Sequence, residues 1–324
     1  MIPRLLYDGS TYKMWYTGLN TTGNPMIGYA SSADGVTWTK HGNPVLVTGS
    51  GGEWDSSSAH AGFVFKNESA YMMWYHGSRK SSDGTAVDGI GLATSTDGIS
   101  WTKFPANPVI TQTAIDGGYL DYPWVLMVGD RFDMYYACQA SQSDAYAKIC
   151  LADSTDGIHW SKRSTPVFMG SGREGDWDAS NVYSPNVLYD GHVYGMWYSA
   201  CNCAKSGITI YQIGFATSPD GIKWTRASKS PILGPSSNGA WDSSDSVDNQ
   251  GIVQVDGGFR LYYSADQGPL DKDGAPKSYK IGFAESPVGF AIPEFPNYGV
   301  LVMVALLLLG FTVSRRAPKK LRRA

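Results

Sequence analysis

Apolar and polar positions follow one another in short alternating runs, the two-residue period of half-buried β-strands, and no amphipathic helical stretch interrupts the series. Four near-copies of one run stand out: IGYASSADGVTWTK from Ile27, IGLATSTDGISWTK from Ile90, ICLADSTDGIHWSK from Ile149 and IGFATSPDGIKWTR from Ile213. A fifth, IGFAESP from Ile281, stops before its Asp-Gly and Trp. Ahead of each lies a second shared run: YKMWY, YMMWY, FDMYY, YGMWY and FRLYY. Trp38, Trp101, Trp160 and Trp224 follow one another at 63, 59 and 64 residues, so one unit is written five times.

Each unit reads as four short antiparallel strands. An apolar strand such as Trp124 to Met127 comes first, and a turn such as Asp8-Gly9 or Asp190-Gly191 leads into the MWY strand. A variable loop, the IG-aromatic-Ala strand, an Asp-Gly hairpin and the Trp-Thr-Lys strand complete it. Four strands cannot bury both faces alone, so the units must pack radially. The pattern predicts an all-β protein, a five-bladed β-propeller over residues 1–290, whose fifth blade lacks its outer strand. The repeated Ser-x-Asp-Gly-x-x-Trp is read as structure: Asp-Gly makes the turn and Trp packs between blades. The Trp-Asp pairs at Trp54-Asp55, Trp177-Asp178 and Trp241-Asp242 are read as turn-closing structure too.

In this topology the variable loops and the starts of the inner strands share one face, where specificity resides. Counting back from the MWY column aligns Pro3, Gly62, Pro123, Pro185 and Gln250. Two residues earlier, Met1, His60, Asp121, Tyr183 and Asp248 form a ring at the channel mouth, one per blade.

Charge narrows the partners. The chain has 26 Lys and Arg against 29 Asp and Glu. Six of those bases and no acid lie beyond Pro296, so the body carries 20 against 29, a net charge near −9. A nucleic-acid binder needs a positive footprint, and this body has none. Cys138, Cys150, Cys201 and Cys203 make no CxxC pair and have no His-rich neighbourhood, which argues against zinc; no metal and no cofactor is expected. Cys138 and Cys150 end one strand and start its antiparallel neighbour, which predicts a disulfide, with Cys201 as a competing partner.

The five repeats resemble the five-bladed propellers of the arabinanase, levansucrase and invertase superfamily of glycosidases, over Pro3 to Pro287. The fourth unit carries the resemblance best, with Trp177-Asp178, Pro185, Asp190-Gly191, MWY and IGFATSPDGIKW in order. The resemblance implies a ring of catalytic carboxyls: an Asp in the first blade, an orienting Asp in the third and a general-acid Glu in the fourth. Asp121 matches the third-blade Asp. Tyr183 stands where the acid Glu is expected, and Met1 falls on the first-blade place, which suggests that an upstream segment is missing. Asp121 and Asp248 are the catalytic candidates, and His60, Tyr183, Tyr122 and Trp124 the substrate-binding ones. The function expected is a carbohydrate-active or carbohydrate-binding propeller acting on an oligo- or polysaccharide. A non-catalytic glycan-binding or adhesion module and a sialidase-like hydrolase are the alternatives; the shortened Asp-box weakens the last.

The tail divides into a linker at 291–297, with Pro293-Glu294-Phe295, and a hydrophobic anchor with basic tail at 298–324. The apolar run from Tyr298 to Val313, expected to be helical, precedes Arg315, Arg316 and further bases. This resembles Pro-Glu-Phe sorting signals of surface proteins. It implies a membrane-tethered protein on the outer face of the cell envelope, with a sorting protease as a partner.

Overall fold

A computed structural model describes residues 2–286 apart from 68, 140–144, 204–209, 237–239, 244–245, 256–257 and 267–278. Five antiparallel sheets follow one another along the chain, and each is a blade. Their inner strands are Pro3–Tyr7, Ser58–Lys66, Leu120–Val128, Asn181–Tyr189 and Val247–Val255. In each blade the MWY strand pairs with the inner strand, and the IG-aromatic-Ala strand pairs next. A two-residue outer strand at the Trp-Thr-Lys position closes blades one to four, while the fifth sheet has three strands among the described residues, as its broken repeat predicts. The one described helix is a single 3-10 turn, Ala114–Asp116.

The hairpin glycines and the MWY aromatics join one blade to the next. In each Ser-x-Asp-Gly turn the Asp carboxylate accepts two backbone N–H groups and the Ser hydroxyl, as Asp156 does from Ile158, His159 and Ser154. The turn presents the Gly carbonyl to the preceding blade. Trp15 Nε1 donates to Gly98 O at 2.8 Å, Trp74 Nε1 to Gly157 O at 2.9 Å and Tyr135 OH to Gly221 O at 3.0 Å. Blade five closes the circle on blade one in the same way: Tyr262 OH donates to Gly35 O at 2.9 Å. Around that joint Tyr12 and Met14 of blade one pack with Val253, Tyr262 and Phe283 of blade five.

A second recurring joint explains the Trp-Asp pairs. Asp55, Asp178 and Asp242 are buried and accept the hydroxyls of Tyr75, Tyr198 and Tyr263 at 2.8–3.0 Å. Lys103 and Arg226 of the outer strands also reach Asp55 and Asp178. Asp116 does the same for Tyr136 and Lys162 in blade three, where an Ile precedes it instead of Trp. The predicted Cys138–Cys150 disulfide is present, and Cys201 pairs with Cys203. The expected C-terminal helix and sorting motif lie outside the described residues; no helix among those described is long and apolar enough to cross a membrane.

Candidate functional site at the channel mouth

Each of the last four inner strands carries a register shift at the same place: His60/Phe63, Asp121/Trp124, Tyr183/Asn186 and Asp248/Gly251. The ring residue predicted for each blade is the one just before its bulge. The bulge explains why these strands begin earlier than their apolar runs suggest, since pairing continues across it while side-chain alternation slips. Proline fits there because Pro123 and Pro185 fall at the irregularity, where no ladder N–H is needed. The bulges also force Tyr122, Ser184 and Asn249 to φ of 54°, 50° and 51°. A non-glycine residue in that region costs about 1–3 kcal/mol, and such strain gathers at functional sites.

Residues beside the ring hold these bulges. Ser199, cross-strand from Tyr183, accepts from Asn249 N at 3.0 Å and donates to Gln250 Oε1 at 2.7 Å. Gln250 Nε2 donates to Ser184 O at 2.7 Å, and Arg4 Nη1 crosses from blade one to Gln250 O at 2.9 Å. In blade one Thr17 accepts from Ala61 N at 2.9 Å. Thr17, Ala137, Ser199 and Ser264 all follow the MWY run, and the blade-two residue of that column is His76.

The ring side chains form two groups. In the first, Asp121 lies with Oδ2 3.7 Å from His60 Nδ1 and Oδ1 3.6 Å from His76 Nδ1. The two imidazole rings are edge to face at 5.0 Å, and His76 Nε2 lies 3.3 Å from Asp88 Oδ1, off the hydrogen-bond direction. Burial pushes the Asp121 carboxyl up, but the charges of His76 and His60 and the N–H of Tyr122 outweigh it and hold its pKa at about 2. Burial alone would lower the His76 pKa; Asp121 and Asp88 more than offset it, and the net shift is upward.

In the second group Tyr183 OH donates to Asp248 Oδ2 at 2.8 Å, and Ser264 donates to Asp248 Oδ1 at 3.0 Å. Burial still raises the Asp248 pKa against those hydrogen bonds. The rings of Tyr122 and Tyr183 meet at 5.4 Å, joining the two groups. The two carboxyls are thus shifted in opposite directions, one toward the ionised and one toward the neutral form.

The structure therefore brings His60, Asp121, Tyr122, Tyr183 and Asp248 to one rim, and leaves Trp124 out of it. Trp124 is buried in the core between blades three and four, its Nε1 donates to Val187 O at 2.7 Å, and its ring packs on Phe63 at 4.8 Å. It pairs with Tyr135 of its own blade, and its ring fills the space between neighbouring blades instead of the channel. Three residues were missed. Asp88 sits in a variable loop strand without a repeat to mark it. His76 carries a readable signal, an imidazole in a column otherwise filled by Thr, Ala and Ser. Arg4 is fully buried beside the channel, about 6.0 Å over the Trp124 ring; burial lowers its pKa to about 10 although Asp121 and Tyr122 oppose that. Although no metal was expected from the cysteines, His60, His76 and Asp121 place three ligand atoms within 4.8 Å of one another.

Comparison with known proteins agrees with the propeller fold. The family model described as "Glycosyl hydrolases family 32 N-terminal domain" matches residues 3–186, more than half of the chain. The chain is 26% identical over 266 residues to the uncharacterized protein Rv1502 of Mycobacterium tuberculosis, covering 80% of this chain and 85% of that one. It is 29% identical over 102 residues to the 1,2-beta-oligomannan phosphorylase of a Thermoanaerobacter species, 31% of this chain and 33% of that enzyme. Among solved structures, a thermostable family-43 glycoside hydrolase has a TM-score of 0.69 at 19% identity, over 99% of this chain and 95% of its own, a likeness of fold. A five-bladed propeller with this match belongs to the glycosyl hydrolases family 32 N-terminal domain family.

Proposed function

We propose that the channel mouth binds a neutral oligosaccharide, and that recognition of this glycan is the activity of the chain. One observation carries the reading. Arg4 Nε and Nη2, His60 Nδ1, both His76 nitrogens, Ser184 Oγ and Asn249 Oδ1 are buried side-chain atoms with no hydrogen-bond partner among the described residues. His60, Ser184 and Asn249 lie at the bulges of their inner strands, His76 is paired across from His60, and Arg4 reaches from blade one to Gln250. Buried donors and acceptors are nearly always paired, so a concentration of unpaired ones marks a surface made for a polar ligand. Sugar hydroxyls both donate and accept, and the tilted pair Tyr122 and Tyr183 offers an aromatic face for a sugar ring. The net charge of the body near −9 disfavours uronates and sialic acids.

A second reading, glycoside hydrolysis, is favoured by the opposite shifts of Asp121 and Asp248. In it Asp248, whose carboxyl burial shifts upward, is the candidate proton donor and Asp121 the carboxylate partner. Tyr183 in place of the fourth-blade acid argues for slow turnover, because acid–base help is worth about 10²–10⁴ in rate. A glycan array run beside a hydrolysis screen separates the two. Binding that Asp121→Asn abolishes, without turnover, supports recognition. Turnover that Asp248→Asn abolishes supports hydrolysis, and binding or turnover indifferent to both substitutions sinks both.

The location proposed is the outer face of the envelope, tethered through 298–324. The basic tail after Val313 supports it, as does a Cys138–Cys150 disulfide, which fits an oxidising compartment.

A further inference from the structure

We propose that His60, His76 and Asp121 form a binding site for one divalent first-row transition-metal ion, of the zinc type, at the blade two–blade three rim of the channel. The inference goes beyond glycan recognition and requires no sugar. Three features of the cluster point to an ion. The first is spacing. His60 Nδ1 and His76 Nδ1 stand 3.7 and 3.6 Å from the two oxygens of Asp121, too far for hydrogen bonds. Ligands bound at about 2.0–2.1 Å around a tetrahedral ion lie roughly 3.4 Å from each other; one atom from each of the three residues already lies within 4.8 Å of the others, so each need move by about an ångström or less to close around the ion. The second is lack of other partners. Both His76 nitrogens and His60 Nδ1 are buried and make no hydrogen bond among the described residues.

The third feature is the outer partner. His76 turns Nε2 toward Asp88 Oδ1 at 3.3 Å while Nδ1 faces Asp121. Nε2 makes no hydrogen bond to Asp88 at this geometry, but a carboxylate on that side of the ring favours the proton on Nε2 and leaves Nδ1 to bind the ion. Asp121 has its own support, the N–H of Tyr122 donating to Oδ1 at 2.6 Å. The donor set selects the ion. Two imidazoles and one carboxylate suit zinc and its first-row neighbours, whereas calcium takes six to eight oxygens. Three protein ligands leave a coordination position toward the channel, as in zinc sites that hold water or a ligand.

The strands make the site buildable. His60 and His76 are directly paired across the first two strands of blade two, and Asp121 projects from the start of the next inner strand. The column that supplies His76 carries Thr17 and Ser199 in blades one and four, which tie to the following blade by hydrogen bonds. Blade two exchanges that tie for an imidazole.

The test uses the full chain without an affinity tag, with its disulfides oxidised, stripped by chelator and titrated with Zn²⁺ by calorimetry. Cobalt(II) is added in parallel, and its visible absorption reports the coordination geometry. One equivalent of zinc is expected, with cobalt showing the intense bands of a four-coordinate site. His60→Ala and Asp121→Asn should each weaken binding by at least about 100-fold, and Asp88→Asn, an outer partner, by about 10–100-fold. His76→Gln is read only where its melting curve shows it folded; the two other ligand variants decide the matter without it. Joint replacement of Cys201 and Cys203 by serine should leave binding unchanged. The proposal is overturned if the wild type takes up no stoichiometric zinc. It is equally overturned if His60→Ala and Asp121→Asn bind within twofold of wild type, or if the cysteine variant loses the ion.

Discussion

Replacing Gly157 by alanine probes the joint between blades two and three. Gly157 holds φ at +73°, a backbone conformation that costs an L-residue about 1–2 kcal/mol. A Cβ there would also stand 2.8 Å from Trp74 Cζ2. Trp74 is fully buried, lies edge to face with Trp160 at 6.2 Å, and donates its Nε1 to the Gly157 carbonyl. It cannot retreat without breaking that bond or pushing its neighbours, and overpacking of this kind costs about 1–3 kcal/mol. The expected loss is therefore about 2–5 kcal/mol, the sum of those two costs. Gly129 supplies the control: its φ is +61° and a Cβ there meets nothing within 4 Å, so alanine should cost only the backbone part. Urea unfolding of wild type, Gly157→Ala and Gly129→Ala, followed by tryptophan fluorescence, measures the difference. A gap of about 1–3 kcal/mol between the variants is the contribution of the inter-blade contact. Equal losses would refute the claim that the Asp-Gly turns couple neighbouring blades.

Two further outcomes follow from the buried joints and the turns. Asp55→Ala removes the acceptor of Tyr75 and Lys103 and should destabilise by about 3 kcal/mol, at the low end for a broken buried pair because Lys103 is partly exposed; a denaturation midpoint checks it. The Asp34 pKa is depressed to about 2, chiefly by the N–H groups of Thr37 and Val36, and Asp97, Asp156 and Asp220 shift the same way. A depressed folded-state pKa gives stability that is present above the unfolded value near 4 and is lost as pH falls toward 2. Melting temperatures should therefore drop through that acid window, and Asp34→Asn should flatten part of the drop.

How much was legible depends on whether a contact lies within one unit or between two. The blade count and the three strands of the fifth sheet among the described residues stood in the sequence because each unit restates its own strands. The ring of His60, Asp121, Tyr183 and Asp248 was found by column counting, and the register shifts place all four at one structural position. Contacts between units were invisible even where they recur. The partner of Trp74 lies 83 residues away in another unit, and Asp116 does the work of a Trp-Asp pair without the tryptophan. Trp124 was assigned to the mouth beside Asp121 and Tyr122, and its partners Phe63 and Val187 lie in other blades, which no repeat names. His76 was passed over although it departs from a column of small residues, because that column lies one strand away from the ring that was counted.

The central claim is that the sugar sits at this mouth, and the most direct measurement is a crystal structure of the full chain with an oligosaccharide selected from the array. The account expects sugar hydroxyls within hydrogen-bond distance of Asp121 and of at least one of His60, Tyr183 and Asp248, with a ring face against Tyr122 or Tyr183. Asp121→Asn should then weaken affinity by about ten- to over a hundredfold, the worth of a hydrogen bond to a charged group. A sugar bound on the outer edges of the blades or at the Asp-Gly turns, with the mouth residues untouched and affinity unchanged in Asp121→Asn, would contradict it.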